Sequence, residues 1–495
     1  MTRHMLTALA LLTTFVWGAG EAQSPAESNT PTLLTNVKLN DPLKGAFEGA
    51  ETTLQDQTDV AVTVYNNNLA LVRDRRKVSL FPGNVSLRFA DVAQQVRPET
   101  VSLQSISDPG AIHILEQNYE YDLMSPSKLM EKYVGKKVRL VNLSTEISFN
   151  EVEAQLLSVN EGPIYQVGND IYLGYPGQVV LPEIPENLIA KPSLIWLLDN
   201  DGTDHEIEVT YLTGGIDWRA DYVIALSRDD TTMDLTGWVT LNNQSGATYT
   251  NAQLKVVAGE VNIAPTEMPQ KMMRGRGVME AAIAPAPMQE EAFAEYHLYT
   301  LPRRTTIKEN QSKQVNLLSA SGIRAKKVYE LRGDEQVHFR PVPPVKDQKV
   351  TVFLVFDNKQ DNQLGIPIPA GVMRIYQEDS EGMRQFAGED RVKHTPKDET
   401  IRIRMGQAFD IVGERVQTDY QRVADNVHES AFEIKVRNHK QNDITVDVVE
   451  PMMGDWEILK KSHDFVKKDA QTAVFSVAVP KDGETVVTYR VRVKY

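Results

Sequence analysis

The sequence predicts a mainly β protein: antiparallel, sandwich-like modules, a small barrel-like strand cluster and one long mobile loop. Three observations carry that expectation. Apolar and polar residues alternate in short runs, as in VAVTVYNNNLALVRDRRKVSLFPGNVSLRF from Val60 onward. Turn-forming clusters such as Asn66-Asn67-Asn68 and Pro82-Gly83 separate those runs. Helical periodicity is nearly absent, so the crossover helices of a parallel α/β fold cannot be found.

Taken in order, the chain opens with MTRHMLTALALLTTFVWGAGEAQS, which has a basic start at Arg3, an apolar run from Met5 to Trp17, and small residues Gly20 and Ala22. This reads as a secretory signal over 1–22, cut after Ala22. The apolar run falls short of the about 20 residues that a spanning helix needs. Residues 23–57 are polar and punctuated by prolines, and read as a flexible tether.

An N-terminal β region is expected over 58–185. Inside it one helix is marked in SPSKLMEKYVG, where Ser125 can cap, Pro126 suits the first turn and Gly135 the left-handed stop. The short runs KKVRLVN, EAQLLSV, PIYQV, NDIYLG and GQVVLP then form the small barrel-like cluster. A C-terminal β-sandwich region is expected over 186–495, built from strands about 5–8 residues long. It is interrupted near 265–294 by a Met-, Ala- and Pro-rich stretch with no strand period, read as a mobile loop. In the closing TVVTYRVRVKY, Val487, Tyr489, Val491, Val493 and Tyr495 share one face, and Thr488, Arg490, Arg492 and Lys494 the other.

Composition sets bounds on function. At 495 residues and 41% hydrophobic content the chain can bury a large core. A formal charge of -14, from 53 Lys+Arg against 67 Asp+Glu, would repel phosphate backbones and argues against nucleic acid as a partner. Cysteine is absent, which removes disulfides, thiolate nucleophiles and cysteine zinc sites.

The residues that invite a chemical reading each have a plainer one. HTPKDE brings together His394, Asp398 and Glu399, but Pro396 suits the second position of a type I turn from Thr395 to Asp398, and a strand follows. In DNDGTDHEIE, Asp199, Asp201, Gly202 and Glu208 fall on calcium-loop positions; Leu197 stands where the leading acid is needed, so the stretch reads as a polar hairpin turn. Met268, Met272, Met273, Met279 and Met288 crowd the mobile loop and could hold Cu(I), although flexible thioethers also adapt to any surface they meet. Trp196, Trp218, Trp238 and Trp456 could line a glycan groove, but core packing is the commoner use. Ser245 lacks a nucleophile elbow, and Gly275 and Gly277 lack the strand and Gly-Lys of a phosphate loop. No catalytic, cofactor-binding or metal-ligating residue is assigned.

Several ordered stretches resemble a known family: YLTGGIDWRADYVIAL, LTGWVTLNNQSGATYTNAQLKVVAGEVN, YHLYTLPRRTTIKENQSKQVNLL, GIPIPAGVMRIYQED, HTPKDE and GQAFDIVGER. Together, from roughly Lys191 to Tyr495, they resemble family 4139 of the domains of unknown function, which includes mucoidy-inhibitor A homologues. The resemblance implies a predominantly β domain exported by bacteria and supplies no catalytic residue. The long heptad segment of the mucoidy-inhibitor type is not found here.

The expectation is therefore an exported, periplasmic or envelope-associated protein that binds or scaffolds an envelope protein or glycan, without a cofactor and without a transmembrane helix after the signal. Three alternatives stay open: an envelope glycan hydrolase using carboxylates such as Asp398, Glu399 or Asp410, an outer-membrane β-barrel, and a copper-binding protein.

Overall fold

A computed structural model describes residues 49–143, 149–185, 188–189, 191–259, 261–262 and 288–494. The signal segment, most of the tether, Met268 to Met279, Gly275 and Gly277, and Tyr495 lie outside the described residues. The class is mainly β, with four sheets that are mostly antiparallel.

A four-stranded sheet runs in the order Ala50–Thr52, Gly83–Ala90, Ser193–Asn200, Ile112–Glu120. Facing elements belong to an eight-stranded sheet, whose central strands are Tyr249–Ala258, Gln57–Tyr65, Leu69–Ser79 and Asp204–Thr213. Both sheets thus interleave strands from either side of residue 186. Alternation explains how they close: Val60, Val62 and Val64 are buried with Leu87, Phe89, Trp196, Ile207 and Val209 in one apolar core.

The tether is shorter than expected, because residues 49–57 already belong to the fold. Thr53 caps a 3-10 turn over Leu54–Asp56 while the Asp56 carboxylate accepts from the Thr53 N–H at 2.8 Å. Just before it, the Thr52 carbonyl accepts from buried Arg76.

The marked helix forms over Pro126–Lys132, with the Ser125 hydroxyl accepting from the Lys128 N–H and Gly135 at φ +82. It opens an inserted module whose five strands run Asp170–Leu173, Ile164–Val167, Phe149–Ser158, Lys137–Leu143, Gln178–Val180. That order is open at both ends, so the barrel-like cluster is a sheet. Its own small core holds Tyr133, Val138, Leu140, Leu156 and Tyr165.

The thirteen-stranded sheet is also open, from Arg384–Val392 at one end to Asp455–Lys461 at the other. No closed barrel forms among the described strands. Two of its strands are far longer than the sequence punctuation suggests: Gln311–Arg332 has 22 residues and Thr400–Ala424 has 25. Gly322 sits at φ +71 within the first, but the ladder continues past it.

These long strands join two cores. Val315, Leu317, Ile401 and Ile403 lie in the first, whereas Leu331, Ala408 and Ile411 lie in a second with Phe432, Val446, Phe475 and Tyr489. Register shifts at Lys349/Thr351 and Val352/Phe353 let the pairing bend between them. In the last strand, Val487, Tyr489, Val491 and Val493 are buried as the alternation requires.

The expected loop also ends early. Residues Gln289–Phe293 form a hairpin with Tyr296–Thr300, and Met288 is buried in the first core rather than held in a mobile stretch. A flexible thioether fills such a gap without a polar cost.

Candidate functional site

HTPKDE is a fastened bend. Thr395 bridges Ile368, its N–H donating to the Ile368 carbonyl at 2.9 Å. The buried Asn358 side chain holds the next residues, donating to the carbonyls of Pro396 at 2.9 Å and Ile366 at 2.7 Å. The turn centres on Lys397 and Asp398, one residue later than the sequence suggests. Asp398 takes φ +68, outside a type I turn, because the Asn358 carbonyl captures the Asp398 N–H at 2.8 Å. Asp398 and Glu399 are exposed on this bend.

His394 points elsewhere, into a cleft of about 220 Å³ lined by Gly259, Glu295, His297, Tyr299, Ile368 and prolines 367, 369 and 396 among others. Its Nδ1 accepts from the Ala370 N–H at 3.2 Å, so a neutral ring carries its proton on Nε2. Across the cleft, His297 Nδ1 lies 2.8 Å from a Glu290 carboxylate oxygen. Tyr299 donates to the Pro367 carbonyl at 3.0 Å, and burial raises its phenol well above the ordinary value. Gly259, at φ +135, is needed where a Cβ would lie 2.4 Å from the Tyr296 ring.

The cleft therefore gathers four of the stretches that carry the family resemblance, VVAGEVN, YHLYTLP, GIPIPAG and HTPKDE, although they are scattered between residues 256 and 399. Chemically it offers apolar and proline walls with two imidazoles at the rim. Asp398 and Glu399 do not line it. Asp410 stands on the strand Thr400–Ala424, roughly 36 Å of extended chain from Glu399 at about 3.3 Å per residue. Paired glycosidase carboxylates need about 5–10 Å.

The other sequence candidates resolve structurally. DNDGTDHEIE is a corner between sheets, not a hairpin, since Ser193–Asn200 and Asp204–Thr213 pair in different sheets. Asn200 stitches that corner, its amide donating to the carbonyls of Gly202 at 2.7 Å and Phe81 at 3.1 Å. At its exit, buried His205 lies 3.0 Å from the Ser105 hydroxyl, beside a cavity of about 470 Å³; that hydroxyl also accepts from the Asp108 N–H, which fastens a loop. Ser245 is fully buried and donates to Asn243 at 2.8 Å. Trp196, Trp218 and Trp456 are buried, each donating its indole N–H, to Gln117, Val257 and Ala470 respectively, while Trp238 is half-buried.

Sequence reasoning overlooked a buried polar cluster in the second core. Arg415 forks onto Glu450 at 2.6 and 2.7 Å, and Tyr489 donates to the same carboxylate at 2.6 Å. His338 lies beside them in the interior, and burial holds its imidazole below the usual value. The one available signal was Arg415 closing GQAFDIVGER among otherwise apolar alternation. Among the described residues, no group of three or more His, Asp or Glu could hold a metal ion, and no helix is long and apolar enough to cross a membrane.

A model of the family described as Domain of unknown function (DUF4139) matches residues 207–495, more than half the chain. A search of curated proteins found no match.

Proposed function

Because the chain belongs to the family of the Domain of unknown function (DUF4139), which brings no chemistry with it, we propose from the cleft itself that this is an exported, non-catalytic binding module of the bacterial envelope. The observation that carries the reading is how the two imidazoles and the phenol of the cleft are spent. Tyr299 is committed to Pro367, His297 to Glu290 and His394 to Ala370, so they brace the walls. Pro367, Ile368, Pro369 and Pro396 present a preformed, largely apolar surface, the kind that accepts an extended segment of a protein or glycan at low ordering cost. Export rests on the signal-like opening, with its basic start and apolar run up to Trp17.

The test uses the full chain with a C-terminal tag, expressed in a bacterium and carrying a photo-crosslinking amino acid at Thr395 or, as a remote control, at Lys481. The expected result is envelope fractionation with a shortened N-terminus, and a discrete protein or glycan adduct from position 395 only. Glu295→Trp, which fills the cleft, should remove that adduct. Retention in the cytosol, or identical adducts from both positions, would overturn the reading.

A further inference from the structure

The inserted module ends its sheet on an apolar edge. Asp170–Leu173 pairs with Ile164–Val167 alone, and among the described residues no strand lies along its other side. Soluble proteins blunt such edges with lysine, proline or a covering element. Here Ile171, Tyr172 and Leu173 are 65, 46 and 84% exposed, and Asp170 is the strand's one charge.

The hairpin fixes which backbone groups are open. A two-residue turn, Gly168-Asn169, joins the strands, so the closing pair of Val167 and Asp170 is hydrogen-bonded and the bonds alternate from there. The Gly174 N–H keeps that alternation, donating back to the Pro163 carbonyl at 2.9 Å. Asp170 and Tyr172 therefore bond inward, while Ile171 and Leu173 turn their N–H and C=O groups to the edge. The side chains of Ile171 and Leu173 share the outer face with half-buried Ile164, and Tyr172 lies on the other face, opposite buried Tyr165.

This strand is complementary to itself. With two copies antiparallel about a two-fold axis through Tyr172, Ile171 of each meets Leu173 of the other, and each such pair exchanges two hydrogen bonds through the open groups. Ile164, Ile171 and Leu173 of both copies then form one apolar strip, and the two Tyr172 rings meet at the closely spaced, non-hydrogen-bonded pair. Asp170 falls opposite Gly174, so no like charges meet although each chain carries -14. Moving the axis to Ile171 would set Leu173 against Asn169 and lose both apolar pairs.

We propose that Asp170–Leu173 is the contact strand of an isologous dimer, its partner being the same strand of a second copy of this chain. The exposed strip is on the order of a few hundred Å² per copy, against about 800 Å² per partner in a stable complex, so the dimer is weak and forms at high local concentration. It shares no residue with the cleft and does not depend on the cleft's proposed role.

Sedimentation velocity of the full chain from about 5 to about 500 µM should show reversible dimerisation. I171K/L173K sets ammonium groups opposite each other in this register and should weaken association roughly tenfold or more, whereas I171K/L173E sets an ammonium opposite a carboxylate in both pairs and should restore it to within about threefold. F81K/F409K, the same charge change at exposed apolar positions elsewhere, should leave association unaltered. Because the chain has no cysteine, Y172C gives a second readout: oxidation should link it into a covalent dimer roughly tenfold faster than I171C, whose thiols would not face each other. A monomer throughout the range, association that I171K/L173K leaves intact or F81K/F409K weakens equally, no rescue by I171K/L173E, or equal rates for the two cysteine variants would overturn the proposal.

Discussion

Arg415 and Glu450 form a two-pronged ion pair, at 2.6 and 2.7 Å, between strands that are not hydrogen-bonded neighbours. Glu450 is fully buried, and Tyr489 from a third strand completes its carboxylate. Such a pair locks packing more than it adds stability, because desolvation offsets most of the attraction. Removing one partner is the costly change. Glu450→Gln should cost about 3–5 kcal/mol in urea unfolding, whereas Arg415→Met with Glu450→Leu should recover most of it. Equal losses in the single and double variants would refute this account.

His338 gives the same core a pH dependence. Its imidazole is held below the reference value of 6.5, first by burial and then by Arg415, although Glu450 and the nearby Pro451 carbonyl favour the proton. A depressed folded value means the unfolded chain takes up the proton first, so stability is full above pH 6.5 and declines as pH falls toward the folded value. Urea midpoints measured from pH 8 downward should drop below pH 6.5, and His338→Phe should flatten that part of the curve. An unchanged slope in the variant would assign the effect to other groups.

Asp398 separates a bend from a site. At φ +68 it occupies the left-handed region, which glycine enters without strain. Asp398→Gly should leave stability within about 0.5 kcal/mol, while Asp398→Val should cost about 1–2 kcal/mol. Loss of ligand binding in the glycine variant, with the fold intact, would restore a chemical role to the carboxylate.

Gly388 is where the hairpin of Gly371–Glu378 and Arg384–Val392 meets the long strand Thr400–Ala424. It sits at φ +141, and a Cβ there would lie 2.1 Å from the Met405 carbonyl oxygen. Backbone cannot yield as a side chain can, so Gly388→Ala should cost about 1–3 kcal/mol and raise hydrogen exchange along the hairpin. Wild-type exchange in the variant would show that the contact is looser than this.

The buried Asn358 amide ties HTPKDE to the neighbouring loop, donating to the carbonyls of Pro396 and Ile366. Asn358→Ala should therefore cost about 1–3 kcal/mol, since it removes both hydrogen bonds from a fully buried position. It should also disturb His394 in the neighbouring cleft, visible as a shifted imidazole resonance. A small loss of stability and an unmoved resonance would mean the bend is held without it.

Features that depend on neighbours along the chain are legible in the residues alone. Ser125, Pro126 and Gly135 wrote the helix ends, because a cap bonds within a few residues of its own backbone. Alternation from Val487 to Lys494 assigned the inner and outer faces of the last strand, since strand side chains point to opposite sides in turn. Pro396 and Asp398 announced a bend for the same local reason.

Which strands share a sheet, and with that the make-up of the site, emerges only from long-range pairing. Gln57–Tyr65 pairs in parallel with Tyr249–Ala258, and Thr395 meets Ile368, through backbone groups that are identical at every residue and so leave no mark in the side-chain pattern. Strand length was hidden likewise, since Gly322 resembles a stop and the ladder runs past it. His297, Tyr299, Pro367 and His394 converge only because those pairings bring their strands together. Arg415 and Glu450 could be recognised as partners only after strands of the thirteen-stranded sheet that are not neighbours had closed round them and buried both charges side by side.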